Sequence, residues 1–180
     1  MTSTENELVT WYLEMKSPDN FKSTPFFQPK ARVEFLSHDQ KGEADWLPAN
    51  AEVNRWFYTQ VGKKWQWTDR ADWTDEQWRE YVTDDNIVTG VGYLAQDEIG
   101  YFELHKQKQG RDVEVAYFGL LPEFVGHGLG AGLLTAAVET AWSLKPERVW
   151  LHTCNLDHPH AMRNYQARGF QLYDTVRKSI

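Results

Sequence analysis

The sequence predicts an α/β fold, a mixed sheet flanked by helices, and three observations predict it. Apolar and polar residues alternate in short stretches along the chain, the period-2 pattern of half-buried strands. Between these stretches lie segments with recognisable helix start and stop signals. In the second half, a strand-like run passes through a glycine-rich turn straight into a long apolar helix. The order reads β-β-α-α-β-β-β-α-β-α-β, the interleaving of helices packed on a sheet.

Val9, Trp11, Leu13 and Met15 alternate with polar partners and give the first strand. Residues 18–29 read as a loop, 31–36 as a second strand and 37–44 as a polar turn; residues 1–6 are polar and expected to fray. Over 48–62 the spacing of Val53, Trp56, Phe57 and Tyr58 predicts a helix. Thr74-Asp75-Glu76-Gln77 has the form of a capping box, so a second helix carrying Trp78 and Tyr81 starts there. Residues 87–94, 99–105 and 113–121 read as strands, with a polar hairpin loop over 106–112. A long helix follows over 130–142, then a strand over 148–154. A helix over 160–168 is closed by Gly169 as its C′ residue, and a last strand covers 170–176.

The chain has 180 residues, enough for one domain with a substantial core. Its net charge of −7 argues against a nucleic-acid binder held by phosphate contacts, and no nucleic-acid partner is expected. No apolar run approaches the roughly 18 residues that span a membrane, and no secretory signal pattern opens the chain, so a cytoplasmic protein with no membrane partner is expected. The single cysteine, Cys154, excludes an intrachain disulfide and a cysteine-rich zinc site. Seven of the nine tryptophans fall before residue 80.

Chemistry concentrates at 119–134, GLLPEFVGHGLGAGLL, where alternating glycines lead into a helix. Glycines permit positive φ and close backbone approach. The unpaired N–H groups and dipole of a helix start attract an anion, and a pyrophosphate suits such a turn. A dinucleotide fingerprint (Gly-x-Gly-x-x-Gly) and a Walker loop (Gly-Lys-Ser/Thr) both fail here.

The turn resembles that of the GNAT superfamily, the acyl-CoA-dependent N-acyltransferases, whose pattern is Gln/Arg-x-x-Gly-x-Gly/Ala. Val125-Gly126-His127-Gly128-Leu129-Gly130 fits it, with Val125 where Gln or Arg is usual. A second block, HPHAMRNYQARGF at 158–170, resembles the family's Asn-x-x-Ala-x-x-x-Tyr-x-x-x-Gly-Phe through Ala161, Tyr165, Gly169 and Phe170, with His158 replacing the Asn. The two blocks stand in the expected order and separation, and the resemblance covers about 87–176. It implies a single N-acetyltransferase domain over 1–180, with a GNAT-like, mostly antiparallel sheet flanked by helices. It also implies acetyl-CoA as co-substrate. Val125, Gly126, His127, Gly128, Leu129, Gly130 and Ala131 would hold the pyrophosphate, mainly through backbone N–H groups. Phe118, Gly119 and Leu120 would run beside the pantetheine, where the family's strand diverges from its neighbour, with His158 and Tyr165 further along. Gly119 suits a bulge or a close backbone approach.

Acyl transfer to an amine needs a base, a donor for the oxyanion and an acid for the leaving thiolate. Tyr165 stands where the family often places that acid, and Glu114 resembles the strand glutamate that some members use as base. Period-2 alternation puts Glu114, Ala116 and Phe118 on one face. A hairpin tip at Gln109-Gly110 would pair Glu114 with His105 and Ala116 with Glu103, making Glu103 and His105 the weaker candidates. Cys154 could act as a nucleophile with His152 or His158, but direct transfer needs none, and an inert buried thiol is the preferred reading. His152, His158 and His160 lack i,i+4 spacing, so no metal is expected. One or two of the early aromatics could line an acceptor pocket, and Asp69, Asp72 and Asp75 would favour an amine. The expectation is an acetyl-CoA-dependent N-acetyltransferase acting on a primary amine of a small molecule or peptide by direct attack. The alternatives are a non-catalytic acyl-CoA-binding or sensor domain and a plain α/β interaction protein. A homodimer is left open.

Overall fold

A computed structural model of the chain describes residues 7–36 and 49–179. The expected frayed start, the polar turn over 37–44 and the first residue of the helix expected over 48–62 lie outside them. The elements are β1 (Glu7–Met15), β2 (Ala31–Phe35), α1 (Ala49–Gly62), α2 (Asp75–Val82), β3 (Ile87–Leu94), β4 (Asp97–Gln107), β5 (Asp112–Leu120), α3 (Gly130–Ser143), β6 (Arg148–Cys154), α4 (Ala161–Ala167) and β7 (Gln171–Ser179). The strands form one seven-stranded sheet in the order β2-β3-β4-β5-β6-β1-β7. Every pairing is antiparallel except β5 with β6.

Local chemistry accounts for several boundaries. The capping box at α2 forms as its sequence predicts: Thr74 Oγ1 accepts from Gln77 N–H at 3.3 Å, and Thr74 N–H donates to Gln77 Oε1 at 2.9 Å. Gly169 closes α4 at φ +106, donating its N–H to Gln166 O at 3.0 Å. β4 and β5 run further into their hairpin than expected, to Gln107 and from Asp112, and a short 3₁₀ turn joins them. β7 likewise continues past 176 to Ser179, because it pairs with β1 along that length.

Alternation along the strands gives the sheet two different faces. Phe102, Leu104, Val113, Val115, Val149, Leu151, Leu13 and Met15 pack beneath α3 in the main core. The opposite face carries Tyr101, Glu103, Tyr117, His105 and Glu114. Phe57 and Val61 of α1 cover its Tyr101 end. His105 faces Glu114 in register as expected, but a bulge follows, and Glu103 faces Tyr117 rather than Ala116. The bulged residue is Ala116, so the expected shared face of Glu114, Ala116 and Phe118 is broken there. Gly119 serves the close approach: a Cβ on it would lie 2.3 Å from Val61 Cγ1 of α1.

The N-terminal half is tied to this face by a buried polar cluster. Glu103 is fully buried and receives Arg70 Nη1 at 2.9 Å, the Tyr81 hydroxyl at 2.7 Å and Asn54 Nδ2 at 2.8 Å. The Arg70 guanidinium lies 3.9 Å from the Tyr81 ring centroid, 4.0 Å from that of Tyr117 and 4.6 Å from that of Trp73. Burial, and then the Glu103 carboxylate, push the Tyr81 hydroxyl pKa far up, so it stays a donor. The rings of Tyr58, Trp73, Trp78, Tyr81 and Tyr117 thus surround one cation. Trp56 of α1 is half-exposed.

Removing one partner of a buried ion pair strands the other charge, at a cost of about 3–5 kcal/mol. Glu103→Gln is therefore expected to lower unfolding stability by about that amount in urea titration. A stability within experimental error of wild type would refute the structural role given to Glu103.

Candidate active site

Between β5 and β6 the sheet parts. The two strands pair only at Asp112–Arg148, Val113–Val149 and Glu114–Trp150. Beyond these pairs β5 stays with β4 and β6 stays with β1. A cavity of about 1460 Å³ occupies the opening. Its walls include Phe118, Gly119 and Leu120 of β5, Cys154 of β6, and Tyr165 of α4.

At one end stands the glycine turn. Val125, Gly126, Gly128, Gly130 and Ala131 line the cavity. Gly126 and Gly128 hold φ of +86 and +74, a conformation side-chain-bearing residues rarely adopt. Leu129 is the N-cap of α3, and no side chain caps the helix start. The first N–H groups of a 14-residue helix therefore face this end without a side-chain partner, together with the positive end of its dipole. His127 and Leu129, expected in this set, do not line the cavity: Leu129 is buried in the core, and His127 is exposed. Arg163 and Asn164 of α4 do line it, though sequence reasoning did not single them out. Arg163 is a cation on the cavity wall, and Asn164 Nδ2 would lie 3.9 Å from a Cβ on Gly130 at the turn.

The cavity is also lined by Trp65, Gln66, Trp67, Thr68, Asp69 and Arg70 from the α1–α2 connection, with Tyr81, His105, Glu114, Tyr117 and His152. Asp69 accepts from the Tyr58 hydroxyl at 3.0 Å and from the Tyr117 hydroxyl. Burial raises the Tyr58 hydroxyl pKa to about 12, so this donor is retained at neutral pH. Asp72 and Asp75, grouped with Asp69 from sequence, are exposed outside the cavity, and Asp75 pairs with Arg55.

Glu114 is nearly buried and both its oxygens are engaged. Gln107 Nε2 donates to Oε2 at 2.8 Å, and His152 Nδ1 faces Oε1 at 3.4 Å. Gln107 is itself held by Trp150 Nε1, which donates to its Oε1 at 3.2 Å. His152 is half-exposed, its ring beside that of Tyr12, with centroids 5.8 Å apart. The Glu114 contact raises the His152 pKa against the effect of burial. The sequence showed Glu114 and His105 as a pair. It could not show that β6 lies beside β5, the pairing that brings in His152. Glu103, the weaker candidate, is corrected: it is locked in the Arg70 cluster and does not line the cavity.

Tyr165 is buried, with its ring edge-on to Phe118 at 6.3 Å between centroids, and burial drives its hydroxyl pKa well up. His158 lines the cavity, its ring 5.0 Å from that of Trp65. The Cys154 thiol is also raised by burial, which disfavours the thiolate. Among the described residues no group of three His, Cys, Asp or Glu could hold a metal ion, and no helix is long and apolar enough to cross a membrane.

The model of the acetyltransferase (GNAT) family matches residues 48–170. No curated protein matches the sequence. A GCN5-related N-acetyltransferase from Sphaerobacter thermophilus aligns with a TM-score of 0.66 at 12% identity, over 97% of this chain and 52% of its own. One from Kribbella flavida gives 0.63 at 17%, over 96% and 59%. The chain thus spans little more than half the length of these proteins. An aminoglycoside acetyltransferase from an uncultured soil metagenomic sample gives 0.57 at 15%, over 77% of this chain and 87% of its own.

The contact between His152 and Glu114 has a direct test. NMR titration should place the His152 pKa above the ordinary histidine value of about 6.5. Glu114→Gln should bring it down, because the favoured imidazolium loses its carboxylate. An unchanged His152 titration in that variant would show that the two groups are not coupled.

Proposed function

The chain belongs to the GNAT family of acetyltransferases, and from that premise we propose that it is an acetyl-CoA-dependent N-acetyltransferase acting on a primary amine by direct attack. The observation that carries this reading is the cavity itself. It runs from an uncapped, glycine-led helix start, along a strand that has left its neighbour, to a carboxylate–imidazole pair.

The residues present fit the co-substrate. The α3 turn offers backbone N–H groups and a helix dipole to a pyrophosphate, and Arg163 adds a positive charge. Residues 118–120 of β5 lie beyond its last pair with β6, so their backbone can serve the amides of a pantetheine arm. The acceptor end combines the carboxylates of Asp69 and Glu114 with Trp65 and Trp67, a setting that suits an ammonium group. The similarity to an aminoglycoside acetyltransferase, also solved in complex with sisomicin, supports a small-molecule amine as acceptor.

His152 takes the proton. Its Nδ1 is turned to Glu114, which leaves Nε2 for the acceptor amine, while the carboxylate fixes the ring and stabilises the imidazolium. Glu114 is thereby a positioning residue rather than the base itself. As the amine nitrogen bonds to the thioester carbonyl carbon and the C–S bond breaks, the Tyr165 hydroxyl gives its proton to the departing thiolate. Its raised pKa keeps it protonated for that step.

The decisive experiment follows thiol release from acetyl-CoA across a panel of amines, with product mass read for added acetyl groups. Amine-dependent release is expected. Tight acetyl-CoA binding with no release for any amine would instead favour a non-catalytic acyl-CoA-binding domain.

Acetyl-CoA at about a hundred times its Kd should stabilise the protein by about 2.7 kcal/mol. Gly126→Glu should abolish the accompanying rise in Tm. A side chain there meets open space at the turn, carries negative charge and opposes the positive φ. An unchanged ligand-induced shift would overturn the assignment of the turn. Tyr165→Phe keeps the ring packing and removes only the hydroxyl. The rate of the chemical step, read by rapid quench, is expected to fall roughly 10²-fold or more with little change in acetyl-CoA Kd. Full turnover in this variant would make Tyr165 a packing residue.

A further inference from the structure

Phe27 is the most exposed large apolar residue among those described, at 73%. A phenyl ring left in water forgoes the gain of burial. The backbone around it is anchored. Lys22 N–H donates to Arg168 O at 2.9 Å, and Thr24 N–H donates to Thr135 Oγ1 at 2.9 Å. Phe26 lies so close to α3 that a Cβ on Gly132 would fall 2.4 Å from its Cδ1. On the far side, Gln28 Nε2 donates to His127 O at 3.4 Å. These contacts press Phe27 against the glycine turn: a Cβ on Gly128 would lie 2.9 Å from its Cε1.

Phe27 stands at the turn but is not part of the cavity wall. A coenzyme A thioester held by its pyrophosphate at that turn sends the pantetheine into the cavity. Its nucleoside then leaves at the turn, where Phe27 lies beside Gly128. We propose that Phe27 is the stacking platform for the adenine base of the acyl-CoA, a contribution of the segment between β1 and β2 to cosubstrate binding. The inference rests on the acetyl-CoA reading above. A flat, exposed ring on an anchored backbone is suited to a purine face, because base–aromatic stacking needs area and no charge.

The test compares wild type, Phe27→Ala and Phe27→Trp by calorimetric binding of acetyl-CoA and of S-acetyl-4′-phosphopantetheine, which lacks the nucleoside. Phe27→Ala is expected to raise the acetyl-CoA Kd roughly tenfold or more and to leave the acetyl-phosphopantetheine Kd within about twofold, since that probe presents no base to stack. Phe27→Trp should restore acetyl-CoA binding. An unchanged acetyl-CoA Kd in Phe27→Ala would overturn the proposal. Equal weakening of both ligands would also overturn it, by showing that the ring only supports the turn. Failure of wild type to bind acetyl-CoA at all would instead remove the reading of function on which it rests. Apo Tm, expected to be unchanged for so exposed a ring, verifies folding of the variants.

Discussion

The site depends on one departure from regular sheet structure, the parting of β5 from β6 after Glu114 and Trp150. Neither strand is left without support. β5 keeps its ladder with β4, and β6 keeps its ladder with β1 over Thr10–Met15. The opening therefore forfeits only the row of hydrogen bonds between the two facing edges. Backbone polar groups in such a cleft need partners, and an extended ligand rich in amides can supply them as a neighbouring strand would. The bulge at Ala116 increases the local bend of β5 on the side of the opening. Because the parting begins after Glu114, this residue is the last of β5 to pair with β6, and it lines the cavity.

The Arg70–Glu103 cluster sets the opposite wall. Burying two charges is costly, and an apolar pair of similar volume would hold the fold as well. What the ion pair adds is position. Arg70 is at the end of the run that places Trp65, Trp67 and Asp69 on the cavity, and Glu103 fixes that end against β4. The Tyr117 and Tyr58 hydroxyls then hold Asp69 from the sheet side and the α1 side together. A loop between two helices becomes a firm wall for the cavity, without the deep apolar core available beneath α3.

Much of this was legible in the sequence because it is encoded locally. The period-2 runs, the Thr74 box, Gly169 and the glycines at 126 and 128 each carry their own geometric demand, and the elements they mark are present. The His105–Glu114 pairing followed from the hairpin alone. What was not legible depends on contacts distant in sequence. Nothing in residues 7–15 states that β1 inserts between β6 and β7, and that insertion supports β6 where it leaves β5. The bulge at Ala116 arises from pairing rather than from a glycine, so it shifted Glu103 onto Tyr117. Arg70 is one of many charged residues in the chain, and only the fold makes it a buried partner of Glu103. For the same reason alternation alone presents Glu103 as a candidate base, and no local spacing joins His152 to Glu114.

The geometry also decides how protons can be handled in one cavity. A base near neutrality and an acid that stays protonated must have environments that separate their pKa values. Here the two environments differ in kind. The raised affinity of His152 for a proton comes first from a fixed carboxylate, held in turn by Gln107 and Trp150. That of Tyr165 comes first from burial, in a pocket shared with Phe118. The Glu114 carboxylate already accepts from Gln107 and faces His152. An imidazole placed between carboxylate and amine leaves the carboxylate undisturbed and presents a nitrogen whose ordinary pKa of about 6.5 already lies close to neutrality. The chain Trp150–Gln107–Glu114–His152 thus links a sheet position fixed by strand pairing to an imidazole at the cavity surface, and each link restricts the orientation of the next.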